Sequence, residues 1–334
     1  MRAVVFPEVG KIEIQDVPEP EARPGWLVIE VGAAGICGTD LHILAGEFPM
    51  ATYPCRPGHE FAGTVIEVGD GVDGFTIGDR VGVQPSVFCG VCHFCRNGRA
   101  NLCPRGGGFG TSLPGGFAER AAILPGHAYH LPDHLTFREA ALIEPLACVV
   151  HGFHRLAPRA GQSYLVYGAG TMGLMLAQYA RFAGARVVAL VDINPAKLER
   201  ARGFGFEHLG ATLADVRDVA PLGYDNVIEA TGVTVAAEAA FEAVIRGGRL
   251  LLFGVYPMGQ KARFEAFRIF NSEIDVIGSM AVFDSYGPAL DAMAAGAIDA
   301  RRMATHAFPV ERFAEALDVL RRGEGMKIQI VPGS

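Results

Sequence analysis

The spacing of apolar and polar positions changes character once along this chain. Over roughly the first 145 residues the apolar runs are short, as in WLVIEV (26–31), GTVIEVG (63–69) and RVGV (80–83), and clusters of Gly, Pro and Asp separate them. That punctuation predicts a barrel- or sandwich-like β domain with few helices. Near Glu144 the rhythm shifts. EPLACVVHGFHRL (144–156) predicts a helix, with Pro145 suited to its first turn, where a missing N–H costs nothing. Strands and helices then alternate: SYLVYG (163–168), TMGLMLAQYARFA (171–183), RVVALVD (186–192), PAKLERARGF (195–204), NVIEATG (226–232), a helix over about 234–246, RLLLFGV (249–255) and DVIGSMA (275–281). Such alternation, with β-branched buried strands, predicts a doubly wound parallel sheet covered on both faces, an α/β fold. Helices over 286–295 and 311–322 and a last strand, KIQIV (327–331), follow and are expected to rejoin the first domain. The expected division is 1–148, 149–283 and 284–334.

Composition narrows the class. A chain of 334 residues suits two domains, and half its residues are apolar while 19% are charged, which predicts a large core and little disorder. The net charge of −7 argues against a nucleic-acid partner, which calls for a basic surface. MRAVVFPEVG carries one basic residue and an apolar run broken by Pro7 and Glu8, so it does not read as a secretory leader. No window approaches the roughly 20 apolar residues of a membrane span. The expectation is a soluble, cytoplasmic protein whose thiols stay reduced.

Two local motifs carry chemistry. Gly168, Gly170 and Gly173 form G-x-G-x-x-G directly after a predicted strand and at the opening of a helix, and Asp192 ends the next strand, 19 residues past Gly173. That spacing sets backbone N–H groups against a dinucleotide pyrophosphate and a carboxylate against the adenosine ribose. Asp192 is followed by Ile193 and Asn194, with no arginine to receive a 2′-phosphate, so NAD is expected over NADP. Binding of another nucleotide, or none, is the alternative. Thr171 and Met172 lie on the same turn. Thr231, Gly254 and Val255 fall at carboxyl ends of predicted strands, where open α/β sheets bind ligands. Lys197 either reaches the ribose or is a solvated helix lysine. The second motif is FCGVCHFCRNGRANLC, with Cys89, Cys92, Cys95 and Cys103 at C-x2-C-x2-C-x7-C. Four thiolates suit a tetrahedral zinc with no open position, hence a structural site. Free thiols or an iron–sulfur cluster are the alternatives.

Cys37 in GICGTDLH, His59 and Glu60 in PGHEFAG, and Glu144 in EPLAC are weak signals taken singly, since a buried cysteine is usually inert and an acid at a helix start favours the dipole. Taken in order with the four-cysteine lobe and GAGTMG, they make the whole chain resemble the zinc-dependent medium-chain dehydrogenases, and the sorbitol or polyol dehydrogenase branch in particular. The resemblance implies a GroES-like catalytic domain, a Rossmann domain for the nicotinamide cofactor, one catalytic and one structural zinc, and a homotetramer or homodimer. It implies Cys37 and His59 as catalytic zinc ligands, with Glu60, Glu144 or both completing the set. It implies a proton relay through Thr39 and His42 while zinc acidifies the bound alcohol. On their own, Thr39 and Asp40 read equally as helix caps. The implied reaction is transfer of hydride from a secondary alcohol, of the polyol or sugar-alcohol class, to NAD, giving a ketone. L-threonine 3-dehydrogenase activity is the alternative within the family; a zinc-free quinone or enoyl reductase and a non-enzymatic zinc-ribbon protein are more distant ones. The Arg-Tyr pair usual near the end of the last Rossmann strand in the polyol branch has no arginine counterpart in GSMAVFDSYG (278–287), which leaves Asp284, Ser285 or Glu119 as candidate substrate contacts.

Overall fold

The computed structural model describes residues 1–333. The chain forms two compact units: Met1–Ala147 together with the chain from Val282 onward, and Cys148–Ala281. In the first unit, the strands run in the order Ala304–Phe308, Lys327–Ile330, Leu27–Gly35, Glu60–Val68, Arg80–Val83 and Ala128–His130, and Arg120–Ile123 also pairs with Leu27–Gly35. All pairings are antiparallel except that of the first two strands. The nine-residue Leu27–Gly35 strand is central and almost wholly buried. It shifts register against Glu60–Val68 at Val28/Ile29 and again at Val31/Ala33, irregularities of the kind that bend a strand and help a sheet curl. Phe6, Ile29, Phe61, Phe117 and Phe313 fill the interior. Helix Phe313–Arg321 turns Phe313, Ala316 and Leu317 inward at i, i+3 and i+4, which seats the late part of the chain on this core.

The last strand is buried throughout. It pairs Gln329 with Gly35, and Gln329 both accepts from Arg138 Nε (3.1 Å) and donates to the Arg138 carbonyl (2.7 Å). A single side chain thus ties the final strand to the short helix Phe137–Ala140.

The second unit holds six parallel strands in the order His208–Gly210, Val187–Val191, Ser163–Tyr167, Tyr224–Glu229, Val244–Leu252 and Asp275–Gly278. The chain lays strands outward on one side of Ser163–Tyr167, then returns to lay the rest on the other. This is the doubly wound arrangement, with its switch point beside that first strand. Two elements escape the periodicity: His208–Gly210 is too short to register, and helix Ala266–Ser272 exposes Phe267 and Phe270 rather than following an inward stripe. The helix expected over about 234–246 stops at Glu242, because Val244 begins a strand that pairs with Tyr224. Among the described residues no helix is long and apolar enough to cross a membrane.

Candidate metal and cofactor sites

The four cysteines of the Cys89–Cys103 lobe converge. Cys92 Sγ lies 3.4 Å from Cys95 and 3.8 Å from Cys103, and Cys89 Sγ lies 3.9 Å from Cys95. Zinc–sulfur bonds of about 2.3 Å in a tetrahedron set sulfurs roughly 3.8 Å apart, so the spacing fits one ion and is far beyond a disulfide. Backbone shapes the lobe: Cys92 caps the one-turn helix His93–Arg96 by accepting from Cys95 N–H. Backbone N–H groups of Val91 and Cys92 bring the Cys89 thiol down to about 6, and Arg105 donates to its sulfur at 3.3 Å. The donor set suits a thiophilic ion and leaves no coordination position over.

The second cluster is buried at His59 and Glu60, partly exposed at Cys37, and assembled from separate segments. One ligand atom each of Cys37, His59 and Glu60 lies within 4.8 Å of the others. Cys37 is the N-cap of helix Gly38–Leu44, and Asp40 at the third helical position closes a capping box, its Oδ2 accepting from Cys37 N–H at 2.8 Å. The other carboxylate oxygen of Asp40 faces His59 Nδ1 at 3.5 Å, and both atoms are buried with no closer partner. With Nδ1 turned to a carboxylate, Nε2 is the nitrogen left for a metal. Burial alone would depress the His59 imidazole; Asp40 and Cys37 outweigh it and hold it well above the ordinary histidine value. A pocket that draws a proton onto so buried a ring is short of positive charge, and a divalent cation supplies it. The cysteine, imidazole and carboxylate donors fit zinc with a position to spare.

Glu144 lies outside this set of three although it is buried. Its charge acts on Lys327 and on Tyr286, whose phenol is raised well above its ordinary value, first by burial and then by Glu144. Thr39 hydroxyl sits 3.8 Å from Cys37 Sγ, whereas His42 is exposed with Nδ1 2.8 Å from Glu47. Of the candidate substrate contacts, Asp284 is exposed at φ 48° and Ser285 is fully buried, its hydroxyl without a partner. Glu119 is engaged at 2.9 Å by the backbone N–H of Arg2.

In the second unit, Gly168 takes φ 100°, and a Cβ on Gly173 would stand 1.7 Å from the Gly168 carbonyl. The turn can therefore be this tight only with glycine at both ends. Gly170 caps the helix that begins at Thr171, with Met172 beside it, and the first turn of a helix carries backbone N–H groups that its own ladder does not use. Asp192 is buried; its Oδ2 accepts from Ala169 N–H (2.8 Å), its Oδ1 from Asn194 N–H (2.8 Å), and Lys197 Nζ stands 3.6 Å away. Thr231 and Val255 are exposed at neighbouring strand ends, while a Cβ at Gly254 would meet Gly232 N at 2.2 Å. This is the surface a dinucleotide lies on in doubly wound sheets.

The alcohol dehydrogenase GroES-like domain family matches residues 23–133, and the zinc-binding dehydrogenase family matches residues 171–295. D-arabinitol dehydrogenase 1 of Uromyces fabae is 35% identical to this chain, covering 92% of it and 90% of the relative. The chain belongs to the zinc-binding alcohol dehydrogenases. A sorbitol dehydrogenase of Bacillus subtilis (strain 168) is 31% identical over 99% of this dehydrogenase and 97% of its own length. The crystal structure of a zinc-binding dehydrogenase from Sinorhizobium meliloti 1021 bound to NADP is 34% identical, superposes with a TM-score of 0.93 and covers 99% of both chains. The dehydrogenase is thus an oxidoreductase of the alcohol and polyol kind, with a GroES-like domain and a Rossmann-like parallel sheet.

Three buried residues that contact these clusters and strand ends give no such signal in sequence. Asp40 looks like a cap and is one, yet its second oxygen serves His59. Glu229 is buried at a strand end and accepts from Thr231 N–H (2.7 Å), Gly232 N–H (3.1 Å) and the Tyr256 hydroxyl, which fixes two glycine-bearing strand ends to one another. Lys327 opens the last strand and is buried against Glu60. The missing signal is sequence distance in the last case: 267 residues separate the partners.

Proposed function

We propose that this dehydrogenase oxidises a secondary hydroxyl of a polyol or sugar alcohol to a ketone, with NAD as the acceptor. The convergence of Cys37, His59 and Glu60 in a buried, electron-rich pocket carries the reading. A zinc ion held there would supply the acidification of a hydroxyl placed beside it, and a bound nicotinamide would supply the hydride acceptor. Cys37 and His59 hold the ion, with a carboxylate of Glu60 or Glu144 at hand. Asp40 keeps His59 in the tautomer that leaves Nε2 unprotonated. Thr39, next to Cys37, would accept the substrate proton while giving up its own hydroxyl proton, and His42, exposed and paired with Glu47, would release that proton to solvent. The four cysteines hold a second, structural zinc.

NAD rather than NADP is inferred from Asp192, whose carboxylate, with Lys197 Nζ 3.6 Å away, would repel a 2′-phosphate. Edge strand Asp275–Gly278, with Val276, Phe267 and Phe270 exposed around it, supports pairing of two copies in a homodimer or homotetramer. Seven free cysteines suit a reducing, cytoplasmic setting.

The test is initial-rate reduction of NAD and NADP across polyols, simple secondary alcohols and threonine, with a chelator control. Chelator-sensitive turnover of a polyol with NAD is expected. Turnover confined to threonine would replace the substrate and keep the chemistry; absence of turnover with zinc bound would reject both.

A further inference from the structure

The first unit also holds a cavity of about 310 Å³ against its opening hairpin, in which Arg2–Val5 pairs with Glu13–Asp16. Val4 and Phe6 belong to the core, so Val5 between them turns the other way and forms one wall. Phe6 and Cys55 exchange backbone hydrogen bonds of 2.8 and 2.9 Å, and both side chains join the core. Arg56, the next residue, lines the cavity. A second wall is the stretch Thr111–Pro114. The Thr111 carbonyl accepts from Thr52 N–H (3.3 Å), and Gly115 N–H donates to the Arg56 carbonyl (2.9 Å). Backbone bonds therefore fix these walls before any ligand arrives.

Arg56 is half-buried, and among the described residues its guanidinium has neither an ion pair nor a hydrogen-bond acceptor. Burial pushes it below its ordinary value, and no neighbouring carboxylate raises it back. Arg312 and Arg322 differ: each lies at the surface, pairs with a glutamate and is raised. A half-buried guanidinium with five N–H groups unanswered is short of acceptors. Two hydroxyls share the lining with it, Thr52 and Ser112. Ser112 Oγ accepts from Gly108 N–H (3.0 Å) and keeps its own proton to donate. The lining contains no acid. Its one amide, Gln15, donates to Glu13 (2.7 Å), whose charge Lys11 answers at 2.8 Å. Val5, Val17 and Leu113 supply apolar surface. The volume falls at the lower end of small-molecule sites, which begin at roughly 300 Å³. A phosphate monoester has three oxygens for these three donors, two for the guanidinium fork and one for a hydroxyl, whereas a carboxylate has two. We propose that this cavity is a binding site for a small phosphate monoester, with Arg56 as its anchor. None of the lining residues is a donor of either metal cluster.

The experiment is calorimetric titration of the full-length, zinc-loaded enzyme with phenyl phosphate, inorganic phosphate and benzoate at constant ionic strength. NADH is kept saturating so that the glycine turn is occupied. Wild type is expected to bind one phenyl phosphate per chain. Inorganic phosphate, which lacks the apolar body, and benzoate, which lacks the third oxygen, should each bind at least about fivefold more weakly. Arg56→Gln should weaken phenyl phosphate at least about tenfold, and Arg56→Lys should recover only part of that loss, because an ammonium has no fork. Val17→Glu, which sets a like charge in the wall, should match Arg56→Gln and decides the matter if Arg56→Gln fails to fold. Absence of saturable phenyl phosphate binding to wild type overturns the proposal. So does wild-type affinity in Arg56→Gln or Val17→Glu, since the phosphate would then sit elsewhere on the chain. Benzoate binding as tightly as phenyl phosphate would overturn the choice of a phosphate.

Discussion

The molecule carries two clusters of metal donors built on opposite plans. The Cys89–Cys103 lobe draws all its donors from 15 consecutive residues, three of the four donors are partly exposed, and Arg105 donates to one of its sulfurs. The Cys37–His59–Glu60 cluster draws on three separate segments once Lys327 is counted, and charged groups sit behind its donors: Asp40 behind His59 and Lys327 behind Glu60. A closed set of thiolates needs only a turn that brings sulfurs together. A buried set assembled from separate segments needs its donors oriented, and orientation takes buried partners that only tertiary structure can deliver.

Substitutions in each cluster can break this contrast. Cys37→Ser should have the largest effect on turnover: a loss of at least about a hundredfold, read in steady-state rates. Zinc content should fall by about one per chain while the thermal midpoint moves little. A near-normal rate would mean that the buried cluster is not where chemistry happens. Cys95→Ser should do the reverse, lowering the thermal midpoint by more than about 5 °C in calorimetry while the folded fraction keeps its specific activity. Asp40→Asn should cost about tenfold in turnover with NADH affinity retained, measured by fluorescence titration; equal losses in both would make Asp40 a folding residue only. Arg105→Ala should quicken zinc release from the lobe by no more than about threefold in a chelator competition, since a charge pairing at the surface is weak. A much larger effect would show that the lobe also depends on charged support.

How far each cluster was legible follows from the same contrast. The four-cysteine lobe and the glycine turn are written in contiguous residues, and a spacing such as Gly168-Gly170-Gly173 followed by Asp192 states its geometry directly. The doubly wound sheet was legible because its strands are buried on both faces and read as apolar runs. Strand His208–Gly210 and the early end of helix Thr234–Glu242 were not, since their boundaries depend on pairing partners. In the buried cluster, Cys37, His59 and Glu60 were reached through the order of motifs along the whole chain rather than through any one spacing. Asp40 and Lys327 were missed for a different reason. An aspartate three residues past a cap and a lysine opening a strand are ordinary in sequence, and only the register Glu60–Gly35–Gln329 gives the lysine its meaning.

The same register sets a timetable for biosynthesis. Glu60 leaves the ribosome 267 residues ahead of its counter-charge, Lys327. At roughly 5–20 residues per second that interval is on the order of tens of seconds. During it the central strand Leu27–Gly35 lacks one neighbour and Glu60 has no ammonium to rest against. In that interval Cys37, His59 and Glu60 are already made while Lys327 is not. Docking of the last strand is thus the step that gives the buried Glu60 carboxylate its counter-charge.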